Sequence, residues 1–273
     1  MHLDLIQSIS LAGDTAKAND DRAGVAHAHG WVIDGATDLG DPGLLGDRGG
    51  AAWIAGEADR AFAAARDGSI EDICRAVFAE VAARYEAMRT RAPEAWELPS
   101  ASFLAVKVGG NVLDCAWLGD CVALLIRDGA ATRVGPQIDV RDKEADLARS
   151  VAHHGLGQPR RVAPVLEALR AARARPDRKV LGVDPRGADR ILCSSQPCMA
   201  GDDLLLMTDG FAAMIDSYGL STAGALAALL PTEGLHGLAA RLRAAEAEDA
   251  GCVRWPRFKQ GDDATALWLR VAG

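Results

Sequence analysis

Aspartates stand at the ends of three apolar, strand-like runs that lie far apart in the chain. Asp34 closes Trp31-Val32-Ile33-Asp34-Gly35-Ala36, and Asp209 closes Leu204-Leu205-Leu206-Met207-Thr208-Asp209-Gly210-Phe211. Asp262 and Asp263 open the run that continues Ala264-Thr265-Ala266-Leu267-Trp268-Leu269. A strand that ends in a carboxylate brings negative charge to the rim of a packed sheet. Such deliveries from distant segments predict a convergent carboxylate cluster, which repels itself unless cations sit within it. All-oxygen donors suit hard divalent ions better than zinc. An ion held there can lower the pKa of a water bound to it. Singly the motifs say little, because Asp-Gly is a common turn dipeptide. Asp67-Gly68 and Asp128-Gly129 have evident turn duties in the same chain.

The elements that must position these acids are legible in outline. Residues 22 to 34 alternate as a strand, and a Gly- and Asp-rich loop runs from Gly35 to Gly50. Ala51, Ile54, Ala55, Ala58, Phe62 and Ala65 fall on one helical face, ended by Asp67-Gly68. Ser69 is placed to cap a second helix, with Glu71 and Asp72 in its first turn and Ile73, Val77, Phe78 and Val81 on its apolar stripe. Residues 102–108, 112–118, 121–126 and 131–134 read as short strands joined by short turns, an antiparallel meander. That excludes a simple Rossmann arrangement, in which helices separate parallel strands. Residues 140 to 190 are punctuated by prolines, with weak helical character at 142–154 and an Ala/Arg/Leu helix or part of one at 165–175, so a flap insertion is expected there. A strand at 203–207, helices at 222–230 and 235–248, and a final strand at 264–271 complete the reading. No linker divides the chain, and one domain over residues 1–273 is expected.

The 273 residues are 49% hydrophobic and 25% charged, as in a soluble globular protein. The net charge of -8 argues against a general nucleic-acid binder. No apolar run approaches the ~20 residues of a membrane span, and the N-terminus shows no signal-peptide pattern. The six cysteines lack CxxC spacing and read as thiols of a cytosolic protein, not as a zinc site or disulfide framework. A cytoplasmic location, with neither membrane nor nucleic acid as partner, is the expectation. The oligomeric state is open.

Taken in order, the motifs resemble those of the metal-dependent PP2C (PPM) protein phosphatases, bacterial type. Asn19-Asp20-Asp21 is similar to the family's acidic segment, Val32-Ile33-Asp34-Gly35 to its Val-x-Asp-Gly motif, and Ser100-Ala101-Ser102 to its small-residue strand start. Leu118-Gly119-Asp120-Cys121 resembles Gly-Asp-Ser with Cys121 in place of Ser. Met207-Thr208-Asp209-Gly210 and Gly261-Asp262-Asp263-Ala264-Thr265 match the last two motifs. The resemblance runs from about Asp14 to the C-terminus.

It implies an α+β fold, a four-layer α-β-β-α sandwich of two antiparallel sheets flanked by helix pairs. It implies a Mn²⁺/Mg²⁺-dependent protein serine/threonine phosphatase with two bound ions, acting on phosphoprotein substrates. Asp34 would bridge the ions, the Gly35 carbonyl would ligate one, and Asp209 and Asp262 the other. Asp21, with Asp20, would hold metal-bound waters, Asp263 would hydrogen-bond the site, and Asp139 would hold a third, weaker ion. No protein nucleophile is needed. The chain departs from the family in two places. Ala16 stands where many members carry a phosphate-binding arginine, leaving Lys17 as the nearest cation, a point charge without a bidentate fork. Ala36 stands where eukaryotic members have a histidine, so protonation of the leaving group falls to a metal-bound water. A catalytically silent, partner-binding module and a small-molecule phosphoester hydrolase are the alternative readings.

Overall fold

The computed structural model describes residues 1–47, 49–137, 143–150, 152, 156 and 162–273. In chain order its strands are β1 (His2–Leu11), β2 (Asp21–Ala26), β3 (His29–Gly35), β4 (Leu44–Asp47), β5 (Ser100–Gly109), β6 (Val112–Leu118), β7 (Val122–Arg127), β8 (Ala130–Val134), β9 (Leu181–Gly182), β10 (Leu192–Pro197), β11 (Asp203–Met207) and β12 (Ala264–Ala272). Its helices are α1 (Gly50–Ala64), α2 (Ile70–Met88), α3 (Lys143–Ser150), α4 (Ala163–Arg173), α5 (Asp209–Asp216) and α6 (Ala223–Glu248).

One sheet has the order β1-β12-β11-β7-β8 and the other β10-β6-β5-β3-β2, with β9 paired to the start of β5. Every pairing within them is antiparallel. The alternation of β3 sets the layers. Trp31 and Ile33 pack with Trp53, Ile54, Phe62 and Val77 of α1 and α2. Val32 points the other way, into a core with Leu104, Leu204, Leu206, Leu267 and Leu269 contributed by both sheets. On the far side of the second sheet, Leu205, Met207 and Trp268 meet Phe211 of α5 and Leu238 and Leu242 of α6. Helices, sheet, sheet and helices therefore follow one another, the four-layer sandwich expected. Ser69 caps α2 through a reciprocal bond with Asp72, as its sequence predicts.

The structure corrects several local readings. Residues 22–34 form a hairpin, β2 and β3, not one strand. His27, with φ 48°, turns the chain there, and the alternation continued across the turn and hid it. The four-strand meander is two hairpins on different sheets: β5-β6 lie in one and β7-β8 in the other. The chain crosses between them at Gly119-Asp120, where Gly119 takes φ 91° and a Cβ would strike the Ser102 hydroxyl. β1 was not anticipated because a bulge between Leu5 and Gln7 breaks its alternation. The mostly exposed β10 has no buried face to advertise it. The two C-terminal helices run together as α6, but Gly234 leaves helical geometry at φ 63° between them.

Candidate functional site

Both sheets deliver acids to the same end of the sandwich. In the β2-β3-β5 ladder Asp21 lies opposite Asp34, and Asp34 opposite Ser102. Asp34 shares the inter-sheet face with Val32, two residues earlier. In the other sheet Met207 pairs with Ala266, so the segment after β11 and the segment before β12 meet. Asp209 falls in the first turn of α5, where the helix N-terminus favours an anion.

The sheets are tied together at this end by buried side chains. The Thr208 hydroxyl donates to Asp21 Oδ2 at 2.8 Å and accepts from the Thr265 amide at 3.0 Å. Asp21 Oδ1 is buried and has no hydrogen-bond partner among the described residues. Asp263 accepts from the Gly13 amide at 2.8 Å and the Asp20 amide at 2.6 Å, stapling the loop before β2 to the start of β12. Asp262 Oδ1 accepts from Lys259 at 2.5 Å.

Gly210 fits against this arrangement: a Cβ there would lie 2.0 Å from the Asp263 carbonyl oxygen. Gly210→Ala is therefore expected to cost about 1–3 kcal/mol of stability, the usual penalty for overpacking. A urea melt checks this, and a midpoint equal to wild type would contradict the fit.

A cleft of about 210 Å³ opens here, with Asp34, Gly35, Asp209 and Asp262 in its lining together with Arg173 and Arg178. Asp34 keeps a strip of surface toward the cleft, but its carboxyl is enclosed by protein. Burial, and then the charges of Asp209 and Asp21, hold its pKa well above the usual carboxylate range, and it shares a hydrogen bond with Asp209. Burial also raises Asp21 to about 7, against the pull of the Thr208 and Thr265 hydroxyls. Asp20 rises to about 6 through burial and the charge of Asp263. Carboxylates in this state take up either protons or cations.

The donors are oxygen only, and Asp21 presents an orphaned buried oxygen. In kind, this fits a hard divalent ion. Among the described residues no group of three or more His, Cys, Asp or Glu side chains is closed around an ion-sized point. Asp34 and Asp209 instead lean on each other, and Asp262 on Lys259.

Of the residues named from sequence, Asp34, Gly35, Asp209 and Asp262 come together in the cleft, while Asp20, Asp21 and Asp263 surround them without lining it. Lys17 is not brought there: it is exposed and paired with Asp14 at 3.4 Å. Asp139 lies outside the described residues. His27 is in the β2-β3 turn, and His29 is buried, with Nε2 3.0 Å from the Phe62 carbonyl.

The charged cleft-lining residues not found from sequence are Arg173, Arg178 and Lys259. Arg173 is carried by α4, which is docked on the loop after β3. Arg170 donates to the Leu39 carbonyl at 2.7 Å and stacks over Trp96, and Arg173 donates to the carbonyls of Ala36 and Thr37 at 3.3 and 3.1 Å. Arg178 donates to Ser100 Oγ at 3.1 Å and has no carboxylate partner at ion-pair distance among the described residues. Their only sequence signal was the density of arginine around residues 170–178.

No family model and no curated protein matches the chain. Solved structures do match. The serine/threonine phosphatase PstP/Ppp of Mycobacterium tuberculosis superposes over 100% of both chains, with a TM-score of 0.60 at 16% identity. The catalytic domain of PstP in complex with two manganese ions gives 0.59 at 18% identity, over 100% of this chain and 99% of that one. The Staphylococcus aureus serine/threonine phosphatase Stp1 gives 0.55 at 15% identity, over 99% of this chain and 96% of that one. The chain has the fold of the bacterial PP2C-type phosphatases along its whole length.

Proposed function

We propose that this chain is a Mn²⁺- or Mg²⁺-dependent phosphatase that hydrolyses phosphoserine and phosphothreonine esters in proteins. The observation that carries the reading is the convergence of Asp34, Asp209 and Asp262, from both sheets, on one cleft that also holds two arginines. Asp34, the Gly35 carbonyl, Asp209 and Asp262 would hold the ions, with Asp20 and the orphaned oxygen of Asp21 ordering water around them. Bound there, the ions supply an activated water and a counter-charge for the phosphoryl oxygens.

The chain's own residues do the rest. The guanidiniums of Arg173 and Arg178 are the forks suited to a phosphate dianion and fix its direction of approach. Among the described residues no histidine lines the cleft, and water there is the proton source the reading assigns to the departing oxygen. A thiolate nucleophile is disfavoured: Cys121, the thiol nearest the acids, is fully buried, and burial followed by the charge of Asp34 pushes its pKa well above the ordinary value. Lys259 holds Asp262 from the side and balances part of its charge. The fold is shared with serine/threonine phosphatases, which supports a protein substrate.

Hydrolysis of p-nitrophenyl phosphate and of phosphoserine peptides, with and without Mn²⁺, tests the reading. A thermal melt of the same samples accompanies it. Turnover is expected only with the metal. Saturating Mn²⁺ is expected to stabilise the fold by about 2.7 kcal/mol at a hundredfold excess over its Kd. Turnover that persists in EDTA would overturn the mechanism. A Mn²⁺-raised melting temperature with no turnover would mean a binding module.

A further inference from the structure

A second, larger cavity of about 570 Å³ adjoins the cleft, and Arg173 and Arg178 line both. Its size is that of a ligand site, typically about 300–1,000 Å³. Its lining is built mainly by residues 173–190, the segment that follows α4, and this segment is anchored where β9 pairs with the first residues of β5. Asp34 pairs with Ser102 of that same β5 strand, so the cavity and the acidic cluster share a rigid support.

The charge of the cavity is opposite to that of the chain. Among the described residues of its lining, five arginines, Arg173, Arg175, Arg178, Arg186 and Arg190, face one acid, Asp184, in a protein of net charge -8. Asp184 is held by Arg186 at 2.7 Å. Arg190 donates to the carbonyls of Pro176 and Arg178, which neutralise nothing. Arg178 is partly desolvated, and burial and then the neighbouring Arg175 weigh against its charge, with Asp120 of the cleft offsetting them in part. Arg173 and Arg178 are half-buried and Arg175, Arg186 and Arg190 are exposed at the rim, so the like charges repel and an anion between them would relieve that repulsion.

We infer that this cavity is an anion subsite: it receives a carboxylate or a second phosphate lying close in sequence to the phosphoester held in the cleft. It thereby makes the enzyme select acidic phosphopeptides. The inference rests on the proposed phosphatase reading of the cleft, with Arg178 on the shared wall joining the two sites. Guanidinium forks recognise either anion in bidentate fashion.

The test uses the full chain with Mn²⁺ and an Arg175→Gln/Arg186→Gln double variant, whose changes lie in the larger cavity only. Fluorescence anisotropy measures the Kd of unphosphorylated labelled peptides that are neutral or rich in Asp and Glu, which reports the subsite without turnover. kcat/KM is measured for phosphoserine peptides with neutral flanks, acidic flanks or a second phosphoserine, and for p-nitrophenyl phosphate. Acidic or doubly phosphorylated peptides are expected to be favoured about tenfold, the scale of one charge-assisted contact. The double variant should lose that preference, with p-nitrophenyl phosphate turnover within about twofold of wild type. Preference for Asp/Glu flanks identifies a carboxylate as the natural occupant, and preference for the second phosphoserine alone identifies a phosphate. Equal Kd and kcat/KM across the peptides, or a preference that survives in the double variant, would overturn the subsite. Absent p-nitrophenyl phosphate turnover beside selective acidic-peptide binding would instead overturn the phosphatase reading and leave the subsite standing.

Discussion

Asp34→Asn is expected to remove nearly all of the proposed phosphoester hydrolysis while leaving a protein that is harder to melt without metal. The two effects share one cause. Asp34 is enclosed by protein, and its charge is opposed by burial and by Asp209 and Asp21. A neutral amide of the same shape removes that repulsion. A gain of about 1 kcal/mol would raise the melting temperature of the metal-free protein by about 2–4 °C. The same change takes away the carboxylate proposed to bridge the ions, so kcat/KM should fall by about 10³-fold or more, the scale of losing one positioned electrostatic group. Asp209→Asn, at the first turn of α5, should behave alike in activity. Thermal melts in EDTA, paired with p-nitrophenyl phosphate kinetics in Mn²⁺, separate a lost site from a lost fold. Wild-type turnover in either variant would refute the assignment.

Arg178→Ala is expected to lower kcat/KM for p-nitrophenyl phosphate about 10²-fold, as for loss of a charge-assisted phosphate contact inside a partly desolvated cleft. Arg178 lines the cleft, and among the described residues its side-chain hydrogen-bond partner is the Ser100 hydroxyl. Arg178→Lys should recover part of the loss, because it restores the charge without the planar fork. Lys17→Ala is the matched control. Lys17 is exposed and paired with Asp14, so its removal should change kcat/KM by no more than about twofold. Steady-state kinetics on the three variants decides between these cations. A Lys17→Ala loss as large as that of Arg178→Ala would return the phosphate to the loop before β2.

The faces of α1 and α2, the strands β5 to β8, β11 and β12, and the acidic motifs were legible because each rests on a local pattern. Ser69 followed by Asp72 predicted its own cap, and Trp31-Val32-Ile33 declared by alternation that Asp34 would share a face with Val32. Where a local pattern continued through a turn, as at His27, or was broken by a bulge, as between Leu5 and Gln7, the reading failed. Periodicity reports a side chain's face and not the sheet to which its strand belongs. The β5 to β8 run could therefore be read as strands but not divided between two sheets.

The residue types of the site were set in the sequence: carboxylates at strand ends in one order, and no thiol or histidine spaced for other metal chemistry. Their meeting was decided by the tertiary structure. The pairing of Asp21 with Asp34, the Thr208 bond to Asp21 across the sheets, and the docking of α4 by Arg170 and Arg173 are all long-range contacts. The arginines show the difference most plainly. An arginine in a loop carries no periodic signature. Its function is fixed only when folding places it beside the acids and withdraws it from water, as it does for Arg178.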